Sequence, residues 1–285
     1  MTWIGVFAGQ GELPRLLVER ALARGLGVVV ASLGARRARA PCAMAGAGAG
    51  RDGRVRWVDV AEAGWDEAMA CLQAASVHDV YAVGKVHRLQ ASTLLEQAAA
   101  QDVLRLLADG QGRGDEALSR AVARVLEGQG FRLAPQRELL EDLLFPAGVL
   151  SRRAPTHREQ RDLERGMSLA RGIAALDIGQ TVVVKDGVVL AVEAAAEGTD
   201  ATIRRAGRLG GSGAVVAKVS RPRQDPRFDT PVVGPRTVRT MAGAGASCLA
   251  VEAGCAFLLH RERTLKVADE AGIAVVGVQR AGGAR

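Results

Sequence analysis

The sequence predicts an α/β protein of two domains: an N-terminal Rossmann-like parallel-sheet domain over 1–134, a connector over 135–155, and a C-terminal mixed-sheet α/β domain over 156–285. Three observations carry that prediction. Of the 285 residues 48% are hydrophobic and only 3% aromatic, with 35 glycines. Such cores are built from Ala, Val and Leu, at the close spacing that helix-on-sheet packing favours. The chain opens as strand, glycine loop and helix, and its second half holds an apolar run folded back at Asp186-Gly187, a two-residue hairpin signal. The length leaves room for two ordinary domains, each with its own core.

Trp3 to Ala8 is a short apolar run that stops at Gly9, Gln10 and Gly11. Leu13, Leu16, Leu17 and Ala21 then recur on one helical face, with Pro14 in the first turn, where its missing N–H costs nothing. A glycine loop of this kind lets amides at a helix N-terminus approach a phosphate. The loop reads GQGELP, however, without the third glycine of a dinucleotide fingerprint, and no acidic residue clearly ends the next strand. That strand is Gly27 to Leu33, followed by an exposed Ala-, Gly- and Arg-rich loop over 34–54. A strand is expected at Val55 to Val60 and a helix from Glu62 to Ala75, with Trp65, Met69 and Leu72 as its core stripe. Asp79 to Val83 is a buried strand that ends at Gly84 and Lys85, where open α/β sheets bind ligands. Lys85 reads equally as a solvated turn residue. Helices are expected over Thr93 to Ala108 and Asp115 to Glu127, the second stopped by Gly128 and Gly130. Phe131 to Leu133 is extended, and Pro146, Gly148 and Pro155 mark the connector.

Thr156 and Glu159 have the spacing of a capping box, opening a helix through Leu163, Met167 and Ala170 towards Ala175. It delivers the chain to Asp177, Gly179 and Gln180, and then to the hairpin strands Thr181 to Lys185 and Val188 to Ala194. Glu193, Glu197, Gly198, Thr199 and Asp200 follow, three carboxylates and a hydroxyl where a strand ends and a helix over Ala201 to Leu209 begins. Thr199 and Asp200 read equally as caps of that helix. Glu193 ends an apolar strand, where a carboxylate is costly unless something pairs with it. Ala214 to Val219 is a strand holding Lys218 near its end. The loop Ser220 to Gly234, SRPRQDPRFDTPVVG, carries three prolines between apolar flanks and is expected to cross the protein. Asp225 and Asp229 could both face one cavity, and Arg227 could clamp an anion, although a loop of this composition is more often solvated than catalytic. A helix over Arg236 to Ala244, strands at Ser247 to Glu252 and Cys255 to Leu259, a helix over Glu262 to Ala271, a last strand at Ile273 to Val278 and a frayed tail complete the chain.

The net charge is +7, from 38 basic and 31 acidic residues, with the arginines scattered along the chain. Anionic partners are tolerated: phosphorylated metabolites, membrane surfaces or nucleic acid. A single tyrosine leaves few aromatic platforms for base stacking, so no nucleic-acid partner is expected. Cys42, Cys71, Cys248 and Cys255 show no CxxC spacing and read as reduced residues of a cytoplasmic protein. His78, His87, His157 and His260 are too dispersed for a zinc motif. No apolar run reaches the roughly 18 residues of a spanning helix, so attachment to a membrane would be peripheral. No GxSxG nucleophile and no Cys with a suitably placed His is present, which favours metal-assisted hydrolysis over acyl-enzyme chemistry. Glu193, Glu197, Asp200 and Asp229, with Lys85 and Lys218, suit Mg²⁺ on a phosphorylated substrate.

The segments IGVFAGQGELP, VGKVHR, LDIGQTVVV, VEAAAEGTDATIRRAG and AKVSRPRQDPRFDTPVVG, in this order, resemble the LpxI family of UDP-2,3-diacylglucosamine pyrophosphatases of lipid A synthesis. The likeness is weakest over 34–54 and 131–155, and an Ala- and Gly-rich insertion near Cys42 to Arg51 departs from it. The resemblance implies hydrolysis of UDP-2,3-diacylglucosamine to UMP and 2,3-diacylglucosamine 1-phosphate, with Mg²⁺ required and Mn²⁺ as a substitute. It implies that Asp229, in RFDTPVVG, is a metal ligand or water-orienting base. Glu193 and Glu197 would share the metal, and Asp200 would belong to the same catalytic set. Gly9, Gly11, Leu13, Lys85, Gln180, Thr199, Lys218 and Arg227 would contact substrate. A lipid substrate places the protein in the cytoplasm, peripherally on the inner membrane, where scattered arginines meet anionic lipid; a homodimer is compatible with this reading. The alternative is a non-catalytic regulatory protein that binds a nucleotide or phosphometabolite without turnover.

Overall fold

The computed structural model describes residues 1–33, 53–84, 123–194, 197–222, 225, 227–228 and 230–280. Backbone contacts divide the chain into two compact units: Met1–Glu141 together with Asp225–Asp229, and Asp142–Gln224 together with Thr230–Arg285.

The first unit is built on β1 (Trp3–Ala8), β2 (Gly27–Ser32), β3 (Val55–Asp59), β4 (Asp79–Val83) and β5 (Arg132–Leu133), in the order β3-β2-β1-β4-β5. All neighbours pair in parallel, the order of a doubly wound sheet. Every residue of β2 is buried, as expected of a strand covered on both faces. Helices α1 (Leu13–Ala23), α2 (Val60–Ala63), α3 (Trp65–Ala74) and α4 (Arg137–Leu140) surround it. Phe7 stacks on Trp65 at 5.7 Å between ring centroids, in a core shared with Val29, Met69, Leu72 and Leu126. The single helix expected over Glu62 to Ala75 is two helices, because Gly64 takes φ +89° and breaks the ladder. Asp59 caps the first by accepting the Ala61 N–H at 2.9 Å. The expected helix at Thr93 to Ala108 and most of the 34–54 loop lie outside the described residues; of the helix expected over Asp115 to Glu127, the described part is helical from 123 to 128.

The second unit has a six-stranded mixed sheet. Its order is β6 (Gly148–Val149), β13 (Ala274–Val278), β11 (Ala246–Glu252), β9 (Ala214–Lys218), β7 (Thr181–Lys185) and β8 (Val188–Val192). Strands β9, β11 and β13 are parallel, with β7, β8 and β6 antiparallel to their neighbours. One face is covered by α5 (His157–Ala175), whose Leu163, Met167 and Ala170 meet Val182, Val184, Val215 and Ala217. The other is covered by α6 (Thr199–Gly210), α7 (Pro235–Gly243) and α8 (Arg261–Glu270) through Ile203, Val238, Met241 and Ala268. β10 (Val232–Val233) and β12 (Phe257–Leu258) form a separate parallel pair.

Local signals account for these elements. Both reciprocal bonds of the Thr156–Glu159 capping box are present, at 3.3 and 2.8 Å. Asp186 and Gly187 take φ +53° and +73°, the left-handed pair a type I′ turn requires. Their amides both donate to the Asp162 carboxylate, at 2.7 Å each. Arg153 ties the start of this unit together, donating to both Glu159 oxygens at 2.6 and 2.8 Å and to the Ser247 and Gly272 carbonyls. Burial pushes the Glu159 carboxyl up, but the Arg153 fork, with help from the Thr156 N–H, overcomes it and holds the group at about 2.

Candidate functional site

Strand register brings the chemistry of the second unit to one edge of its sheet. Thr181 pairs with Lys218, and Val182 with Val192, so Glu193 lies beside Thr181. Lys218 in turn pairs with Val251, which precedes Glu252, and Glu252 pairs with Val278. The result is a row of Glu193, Thr181 and Lys218 on one face of the sheet at the carboxyl end of β9, the edge at which α/β sheets bind ligands. Glu252, one residue beyond Val251, turns to the opposite face, where α5 packs. Glu193, Thr181 and Lys218 are only 6%, 0% and 4% exposed, and Glu252 1%, so the charged ones persist only with partners.

Lys218 Nζ donates to Thr199 Oγ1 at 2.6 Å. An ammonium only donates, so the single Thr199 hydroxyl proton is left for Glu193 Oε1 or Thr181 Oγ1, each 3.2 Å away. Glu193 Oε2 and Gln180 Oε1 are buried without a hydrogen-bond partner. Thr199 therefore serves the row rather than capping its helix. Asp200 pairs with Arg236 at 3.0 Å, and α6 starts at Gly198 with no side-chain cap, its positive end favouring an anion. The loop before β7 passes so close that a Cβ at Gly179 would sit 2.8 Å from the Glu193 carbonyl carbon and closer still to its oxygen. Only glycine fits there.

Glu197 is held in a bidentate pair by Arg205, at 2.9 and 2.8 Å, and that guanidinium keeps its carboxyl at about 2. Of the expected metal set, then, Glu193 keeps one open oxygen, Glu197 is engaged by an arginine, and Asp229 lies outside the described residues. Among the described residues no group of three His, Cys, Asp or Glu side chains is placed to hold a metal ion. Glu252, which the sequence reading passed over, accepts the Ser220 N–H at 3.3 Å and pairs with Arg171 at 3.4 Å. Its signal was the one that singled out Glu193: a carboxylate closing an apolar strand.

In the first unit the Gly9 N–H donates to the Val83 carbonyl at 2.8 Å. Gly84, with φ +92°, has no room for a Cβ, which would lie 2.8 Å from the Gln10 oxygen. The glycine loop and the end of β4 thus meet at the carboxyl edge of the parallel sheet. Gly11 sits in this loop at φ +106°, Leu13 starts α1 and is buried, and Lys85 lies outside the described residues. Arg227 donates to both Asp225 oxygens and to Glu127 at 2.7 Å. Phe228 N–H closes the same turn on the Asp225 carbonyl at 3.1 Å. The guanidinium holds its own turn together here.

The family model for the LpxI N-terminal domain matches residues 3–143, and that for the LpxI C-terminal domain matches 146–276. A relative from Caulobacter vibrioides, named UDP-2,3-diacylglucosamine pyrophosphatase LpxI, is 33% identical over 286 residues, covering 98% of each chain. The chain belongs to the LpxI family. The row of Glu193, Thr181 and Lys218 falls inside the LpxI C-terminal domain, and the glycine loop beside Gly84 inside the LpxI N-terminal domain.

Proposed function

We propose that this protein hydrolyses the pyrophosphate bond of UDP-2,3-diacylglucosamine to UMP and 2,3-diacylglucosamine 1-phosphate, a step of lipid A biosynthesis. The observation that carries this reading is the end-to-end likeness to the Caulobacter enzyme of that name, at 33% identity over 98% of both chains. In the reaction, water adds to one phosphorus, the bridging P–O bond breaks with its electrons going to the departing phosphate, and one proton is released.

Phosphoryl transfer of this kind needs charge neutralisation and a positioned water more than a covalent group. Lys218, fixed by Thr199, and the uncapped start of α6 supply positive potential for the phosphates. Asp229 is the proposed water-orienting residue, with Glu193 beside the phosphates. Mg²⁺, with Mn²⁺ as a substitute, is the proposed cofactor, and when bound it would neutralise phosphate charge. Mg²⁺ commonly takes one or two protein carboxylates and fills its other positions with water and substrate phosphate. Glu193, with its unpartnered Oε2, fits that demand; Glu197 and Asp200 are already neutralised by Arg205 and Arg236.

Peripheral attachment to the cytoplasmic face of the inner membrane belongs to the same proposal. Among the described residues no helix is long and apolar enough to cross a membrane. The deciding experiment is incubation with UDP-2,3-diacylglucosamine, with Mg²⁺ or with chelator, comparing wild type and Asp229→Ala. We expect metal-dependent UMP release that falls at least about 10³-fold in the variant while substrate binding persists. Equal release by both proteins, or none by the wild type with metal, would remove the reading.

A further inference from the structure

We propose that Gln136 is a positioning residue for this reaction: its carboxamide fixes the Phe228 carbonyl, and with it the peptide bond that leads into Asp229, to the end of β4.

Gln136 is 1% exposed. Its Nε2 donates to the Ala82 carbonyl at 2.7 Å and to the Phe228 carbonyl at 2.6 Å. Both neighbours are acceptors, so the orientation of the amide is not in question. The first bond continues the sheet by other means. The Ala134 N–H donates to the Val80 carbonyl at 2.8 Å, and carbonyls two residues apart on a strand point the same way. β5 has ended at Leu133 by then, so the next outward carbonyl, that of Ala82, receives the Gln136 side chain instead of a backbone amide. The second N–H of the same nitrogen then reaches across to Phe228.

The described residues of the turn are also bonded to one another. Phe228 N–H donates to the Asp225 carbonyl, Arg227 locks onto Asp225 and Glu127, and the Phe228 ring packs against the core of the first unit. Such a turn can place the residue after it only if its last carbonyl is also fixed, and Gln136 is what fixes it. The remaining atom of the carboxamide argues that stability is not the reason for it. Gln136 Oε1 is buried without a partner, a free-energy cost that an apolar side chain of similar size would not carry. The two donors are what an apolar residue could not replace.

The inference rests on the reading that Asp229 takes part in the chemistry, and the test separates the two. Gln136→Leu, Asp229→Asn and the double variant are compared by single-turnover and steady-state UMP release, with thermal melting as the control for folding. Gln136→Leu is expected to lower kcat about 10²-fold, the effect of a misplacement of roughly 1 Å, with KM within a factor of about three. In the Asp229→Asn background the same change should do nothing further, because two residues acting as a unit are not additive. Should Gln136→Leu fail to fold, Gln136→Asn, too short to span both carbonyls, gives the same reading. A folded Gln136 variant with wild-type kcat beside a slow Asp229→Asn overturns the inference alone. So does an additive loss in the double variant, the mark of a merely structural residue. Wild-type kcat in Asp229→Asn overturns both readings.

Discussion

Gly179→Ala tests the packing of the candidate site with the addition of one methyl group. Gly179 does not need its glycine for a left-handed backbone, since it is not among the residues with positive φ. What it lacks is space. A Cβ there would stand 2.8 Å from the Glu193 carbonyl carbon and 3.2 Å from the Glu193 Cβ, with the carbonyl oxygen nearer than either. Restoring ordinary contact requires a relative shift of at least about 0.6 Å, and more at the oxygen. The movement is backbone against backbone, and Glu193 is pinned by its own N–H, which donates to the Thr181 carbonyl at 2.9 Å. Overpacking of this kind costs about 1–3 kcal/mol, a loss of roughly 2–12 °C in Tm for a chain of this size. The Glu193 carboxyl moves with its backbone, away from a Thr199 hydroxyl now 3.2 Å distant, so turnover should fall by about 10²-fold. Differential scanning fluorimetry and UMP release read the two effects separately. A variant that melts within 1 °C of wild type, taking about 1 °C as the resolution of the method, would refute the close approach. A lowered Tm with wild-type turnover would keep the packing argument and remove Glu193 from the reaction.

Lys218→Met keeps the apolar stem and removes the ammonium that donates to Thr199; kcat should fall about 10²-fold or more, against a stability change near 1 kcal/mol, and an unaltered kcat would exclude Lys218 from the site. Arg153→Met strands the Glu159 carboxylate, only 8% exposed, and should cost about 3–5 kcal/mol in urea unfolding with little direct effect on KM for the folded fraction. Acid sensitivity follows from the same group. Its folded pKa of about 2 lies below the ordinary value, so its stabilisation is complete above pH ~4.5 and is lost as pH falls towards 2. Asp79, held at about 2 by Arg132, acts in the same direction. Tm measured from pH 6 downward should therefore drop most steeply below about pH 4, and in Arg153→Met the Glu159 share of that slope should vanish.

The fold was legible where a signal is local. Alternation and helical periodicity placed most strands and helices to within a residue or two, the Asp186-Gly187 pair placed the hairpin, and Thr156 with Glu159 placed the start of α5. Weak signals failed for physical reasons. A glycine within a helical pattern marks a break only when its neighbours demand a positive φ, as at Gly64, and a two-residue strand such as β6 or β10 carries no period to detect. Gln136 was invisible because its partners, Ala82 and Phe228, stand 54 and 92 residues away. The pairing of carboxylates was illegible for a similar reason. With 38 cationic side chains in the sequence, nothing local says that Glu197 meets Arg205 or that Asp200 meets Arg236.

That pairing is nevertheless what separates the acidic residues by role. Glu197, Asp200, Asp225 and Glu252 each face an arginine, and a carboxylate so matched is neutralised in place and has little attraction left for a further cation. Glu193 differs. Its described partner is a hydroxyl, itself tied to Lys218, and its second oxygen is buried with no partner. A carboxylate kept this far from water with an unspent oxygen is costly, and the Thr199 hydroxyl, with the Lys218 ammonium behind it, offsets only part of that cost. The open oxygen gains a partner when a charged or proton-donating group arrives from the substrate side. Of the acidic residues described at this edge, Glu193 is therefore the one whose role is left to the reaction.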